Sequence, residues 1–130
     1  MNQTFRFGDK LQELIDLLEK MTGQLMMNQM DDYKDTIPEL SKLMEMCFPK
    51  IIISYSDPLL KDVSEDAVYW SDQLGRIIDT LKLDDKFARM DVLYQETRAN
   101  LIAYNNMIKE TEIAEWTVEE PEDMPETENS

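Results

Sequence analysis

Residues 9–30 read DKLQELIDLLEKMTGQLMMNQM. Leu11, Leu14, Leu18, Met21 and Leu25 recur at alternating spacings of three and four, which places them on one face of a helix. Ile15 and Leu17 widen that face. The same spacing lets side chains of one helix interlock with those of a nearly aligned neighbour. The stretch therefore predicts an amphipathic helix from Asp9 to Met30, capped by Thr4 or Asp9.

Three further segments repeat the pattern. The second begins at Thr36, read as an N-cap, with Pro38 in the first turn where proline is tolerated. Its seam is Ile37, Leu40, Met44, Cys47 and Ile51, flanked by Leu43, Phe48 and Tyr55. Pro49 cannot donate to the carbonyl four residues back, so a kink or a break is expected there. The third segment opens at Asp62 or Ser64 and carries Ala67, Trp70, Leu74, Ile77 and Leu81, with Trp70 facing the core. The fourth follows a short connection at 83–85. It carries the longest seam: Phe87, Met90, Tyr94, Thr97, Leu101, Tyr104 and Ile108. Short connections force neighbouring helices antiparallel, so helices one and two, and three and four, should form hairpins.

Composition agrees. The 130 residues fit one domain, and 42% are apolar, enough for one core. Three glycines and five prolines are too few for a turn-rich β architecture. The expected fold is all-α, an antiparallel four-helix bundle. Its expected organisation is an N-terminal extension over 1–8, the bundle over 9–110 and an acidic tail over 111–130. Glu119 to Ser130 holds a single apolar residue, Met124, and cannot offset the entropy of ordering, so the tail is expected to be mostly disordered. Ile113 and Trp116 could pack as a last fraying turn.

Net charge is −15, and residues 110–130 hold no Lys or Arg. Phosphate backbones would repel such a chain, so no nucleic-acid partner is expected. No apolar run approaches the ~20 residues of a membrane span, so no membrane association is expected. Met1 to Lys10 is polar and shows no secretory signal pattern. One cysteine, Cys47, sits in an apolar run and reads as a buried thiol. Together these predict a cytoplasmic protein.

Much chemistry is ruled out. With no histidine there is no Ser–His or Cys–His catalysis, and no Glu-x-x-His di-iron site of the kind helical bundles host. One cysteine cannot build a structural zinc site, and three scattered glycines form no phosphate-cradling loop. No cofactor is expected. The enzymatic alternative is a magnesium–carboxylate nucleotide hydrolase using Asp62, Glu65 and Asp66, or Asp84, Asp85 and Asp91. Both groups lie at helix starts, where the helix dipole already favours acids.

Two features fit either an ordinary structural role, with methionines filling the core and Trp116 packing a helix end onto the bundle, or a protein-binding one. Ten methionines is several-fold ordinary use, and flexible thioethers suit surfaces that adapt to a partner helix. Met26, Met27 and Met30 cluster at the end of helix one, and Met46 lies off the seam of helix two. Trp116 stands amid acids, as a docking motif would. These five residues are the candidate partner-binding set. The size, the acidity, the absence of histidine, the long first helix and the closing helical hairpin resemble small bacterial bundles of the flagellar export chaperone type. The resemblance covers residues 9–109 as an architecture and transfers no functional residue. It implies a protein that shields an amphipathic helix of a secreted component.

The expected function is thus a non-enzymatic adaptor or chaperone-like module that binds a protein partner through a helical face. The runner-up is a homodimer or larger homo-oligomeric bundle. Magnesium or manganese should leave the thermal midpoint unchanged at millimolar concentration. A ligand that binds only the folded state raises the midpoint, so an upward shift in a thermal melt would revive the hydrolase reading.

Overall fold

The computed structural model describes residues 4–58, 67–81 and 90–120. In chain order they form strand β1 (Thr4–Arg6), helix α1 (Phe7–Met26), α2 (Met30–Ser54), α3 (Ala67–Leu81) and α4 (Met90–Ile108). A 3₁₀ turn (Glu112–Glu115) and strand β2 (Thr117–Glu119) follow. The chain is mostly helical, as the periodicity requires, with one small antiparallel sheet that the all-α expectation omitted.

Helix α1 starts two residues earlier than its apolar pattern suggests. Neither Thr4 nor Asp9 caps it. Arg6 is the N-cap, in extended conformation and without a side-chain cap bond. The first helical N–H, that of Phe7, donates instead to the carbonyl of Trp116 at 2.7 Å. The strand pair thus satisfies a backbone donor that would otherwise be orphaned.

α1 also ends at Met26 rather than Met30. Met27 N–H donates to Gly23 O at 3.0 Å and Gln29 N–H to Gln24 O at 2.8 Å. Between them Asn28 takes φ 58°, the left-handed conformation that asparagine tolerates better than other non-glycine residues. A three-residue turn results, and α2 begins at once with Asp31 and Asp32 in its first turn. Thr36 is therefore not a cap. It is buried inside α2, and its hydroxyl donates to Asp32 O at 2.8 Å.

Both Pro38 and Pro49 lie inside α2, which is unbroken to Ser54. Each proline removes one backbone donor. Buried side chains nevertheless continue on both sides of Pro49, from Leu43, Met44, Met46 and Cys47 to Ile51 and Ser54. Keeping that face against the core outweighs one lost hydrogen bond.

α1 packs between α2 and α4, and α3 packs more lightly on α2 and α4. Contacts between α1 and α4 run in opposite order along the two helices. Gln12 pairs with Asn105 at 3.1 Å and Glu19 with Arg98 at 3.4 Å. These two helices are antiparallel. Two hydroxyl contacts join α2 to α4 in the same order: Tyr33 to Tyr94 at 2.8 Å, and Ser54 to Tyr104 at 2.6 Å. Those helices run in the same direction. The predicted seams are largely buried: Leu11, Leu14, Leu18 and Met21 on α1, and Leu40, Met44, Cys47 and Ile51 on α2. Leu74 and Ile77 on α3, and Tyr94, Thr97, Leu101, Tyr104 and Ile108 on α4, are buried too. Leu25 and Ile37 are only partly covered. The side chains of Trp70, Leu81 and Met90, all of Phe87, and the connection 82–89 lie outside the described residues.

The proposed extension and the start of the proposed tail meet. Phe5 pairs with Val118 across β1 and β2, and Val118 is buried. Ile113 and Ala114 are buried in the 3₁₀ turn, whose N-cap Thr111 accepts from Ile113 N–H. Gly8 allows this approach, because a Cβ there would stand 3.2 Å from Ala114 O. Arg6 adds an exposed ion pair to Glu115 and another to Asp9. Residues 111–120 are thus part of the fold, and residues 121–130 lie outside the described ones.

The sequence pattern marks residues 118–130 as dispensable, whereas the structure divides them. A chain ending at Glu120 keeps every contact described here, and its melting midpoint should match the parent's. A chain ending at Thr117 loses the burial of Val118, a loss of about 2 kcal/mol. Its midpoint should drop by several degrees. Thermal melts of the two chains check this.

Candidate protein-docking site

The five candidate residues divide into three places. Met26 ends α1 and Met27 follows it, and they are 68% and 71% exposed. Met30, the first residue of α2, is half-buried against the core. Met46 is 5% exposed and leaves the set. It stands one turn from Leu43 on a stripe beside the main seam, and both residues line the groove between α1 and α2. Trp116 is half-buried at the opposite end of α1, against the core and 5.8 Å from Lys50 Nζ. Nineteen residues separate Phe7, its hydrogen-bond partner, from Met26, or ~29 Å of helix. Trp116 and the exposed methionines do not share a surface.

Beside Met26 a cleft of about 450 Å³ opens between α1 and α4, lined by Glu19, Thr22, Gly23, Met26, Gln95 and Arg98. The four α1 residues sit at spacings of three, four and seven, one stripe of the helix. The space beside Gly23 is open, since a Cβ built there meets no atom within 4 Å. Gln95 Nε2 reaches Met26 Sδ at 3.9 Å, a weak contact to a poor acceptor. Arg98 is held to Glu19 at 3.4 Å, and its Nε is buried without a hydrogen-bond partner. Thr22 is turned inward, donating to Leu18 O. The cleft is amphipathic and loosely closed, and its one exposed apolar element is Met26.

The sequence pointed to Met26 and Met27 but missed the rest of the cleft. Glu19, Thr22 and Gly23 belong to a polar and small stripe that could have been read from its spacing. Gln95 and Arg98 carry no signal of their own, because only the packing of α4 on α1 brings them there.

The cysteine and three of the tyrosines are buried. Cys47 is fully buried, and burial, assisted by the negative charge of Glu13, pushes its thiol up to about 12. Burial also raises Tyr33, Tyr94 and Tyr104 above the usual tyrosine value. Among the described residues, no group of three or more Cys, Asp or Glu is placed to hold a metal ion. Asp62, Glu65, Asp66, Asp84 and Asp85, and the side chain of Asp91, lie outside them. No described helix is long and apolar enough to cross a membrane.

No family model matches the chain, and neither does any curated protein or solved structure.

The buried thiol fixes a pH dependence. Burial pushes the Cys47 thiol from its ordinary 9.0 up to about 12, so the native state binds this proton more tightly. The stability this contributes is complete below pH 9 and is lost as pH rises from there towards 12. The three tyrosines act in the same sense from their ordinary value of 10.0. Denaturant midpoints should be flat from neutrality to about pH 8.5 and fall above it. In Cys47→Ala the decline should begin later. A midpoint that rises with alkali would contradict the buried assignments.

Proposed function

We propose that this chain is a non-enzymatic interaction module, an adaptor or chaperone-like protein, that docks a partner helix at the α1–α2 turn and the adjoining cleft. In this reading the four helices form an antiparallel bundle, with α2 kinked at Pro49, and the protein works in the cytoplasm, where a lone buried thiol is compatible with the redox environment. One observation carries the docking reading. Two large unbranched thioether side chains stand together in solvent on a tight turn, beside an open cleft, while most of the described seam residues are buried.

Leaving two such side chains in water forfeits ~1.5–3 kcal/mol of burial each. A partner that covers them recovers it. Methionine suits the task because three rotatable bonds let it fit differently shaped apolar faces. A helix laid in a groove is the matching mode of recognition, with anchors at three- and four-residue spacings. A second copy of this chain could supply the same cover, which is the homo-oligomeric alternative.

A photo-crosslinking amino acid at position 27, introduced in the producing cell, tests the reading. One discrete adduct should form from position 27 and not from the exposed position Glu45 on α2. Met26→Ser should abolish it without changing the melting midpoint. An adduct of twice the chain's mass would favour the homo-oligomer. Equal labelling from both positions, or none from position 27, would remove the docking reading.

A further inference from the structure

We propose that the helix docked at Met26 and Met27 is a basic amphipathic one, with an apolar stripe for the methionines and lysines or arginines along its edges; this rests on the docking reading above. The methionines supply the apolar contact, and the charges around them select the partner. The whole chain carries −15, so its long-range field draws cations and turns acidic helices away.

Close to the turn the bias persists. Asp31, Asp32 and Asp35 are exposed just after Met30, and among the described residues none of the three is in an ion pair or a side-chain hydrogen bond. The cation of the cleft, Arg98, is already held by Glu19. The cations nearest in sequence are Lys20 and Lys34, so the carboxylates of this end outnumber them. The helix dipole favours Asp31 and Asp32 at the start of α2, yet it leaves their outer oxygens free for a partner's cations. An approaching helix with basic edges meets these carboxylates while its apolar stripe covers Met26 and Met27. An acidic helix meets like charge at the same positions, which disfavours it as a partner.

The test uses the full chain and four synthetic peptides of about 14 residues, long enough to form a helix on a surface. They are a Leu/Lys amphipath, a scramble of the same composition, a Leu/Gln amphipath and a Leu/Glu amphipath. Binding is measured by fluorescence anisotropy at about 0.15 M salt. The Leu/Lys amphipath should bind, with the scramble and the Leu/Glu peptide about tenfold or more weaker. Met26→Ser/Met27→Ser should weaken it about tenfold. Asp31→Asn/Asp32→Asn should weaken it several-fold and flatten its salt dependence, while the melting midpoint falls by only a few degrees as the helix-dipole contribution is lost. A chain ending at Glu120 should bind as the parent does.

Three outcomes would overturn the proposal. If the Leu/Gln or Leu/Glu amphipath binds as tightly, and the methionine variant still weakens it, docking stands and the basic preference falls. If no amphipath responds to the methionine variant, docking falls as well. If the scramble binds equally, or the shortened chain loses binding, the attraction is only that of a diffuse acidic surface.

Discussion

The apolar face of α1 is the constraint from which the arrangement follows. Nine of its twenty residues are buried, and at 100° per residue they span about 180° of the helix circumference. One flanking helix covers roughly a third of a circumference, so α1 needs two. Ile15 and Thr22 fall on the side that carries Gln12, Glu19 and Met26, which meet α4. Leu17 and Gln24 fall on the other side, where Glu13 and Lys20 face α2. With α2 and α4 held by a common floor, their tyrosine and serine hydroxyls meet across the core, each with a partner. That satisfaction matters, since an unpartnered buried hydroxyl costs about 1–3 kcal/mol. The strand pair then closes the start of α1, where Phe7 is buried and the 3₁₀ turn packs closely on Gly8.

The seams were legible because α1 and α4 repeat their spacing over four or more turns. What the sequence hid was local. Asn28 ends α1 by a single left-handed residue, and nothing in the apolar spacing marks it. Reading α1 on to Met30 then moved the start of α2 to Thr36, a good N-cap residue that the structure buries instead. Pro49 pointed to a break because its missing donor is visible in the sequence, while the burial on either side of it is a property of the packed helix. Val118, Ile113 and Phe5 are single apolar residues in polar stretches, too short for any period. Their burial depends on two chain segments more than a hundred residues apart.

The site was half legible. Met26 and Met27 stand out because they continue no seam, and the structure leaves them in solvent. Met46 gave the same signal and is buried, because the core-facing side of α2 is wider than its main seam. The difference is whether a neighbouring helix lies alongside, which the sequence of one helix does not state. The cleft adds Gln95 and Arg98, brought in by packing alone. Burial holds the thiol and three tyrosines protonated at neutral pH.

Native-state hydrogen exchange, followed residue by residue, tests the central role of α1 most directly. If α1 is the common floor, the amides of Leu11 to Met21 exchange only by global unfolding. Their opening free energy then equals the stability measured by denaturant, while α3, which packs only lightly on α2 and α4, opens at lower free energy. Amides of α1 that exchange more easily than those of α3 would contradict the account.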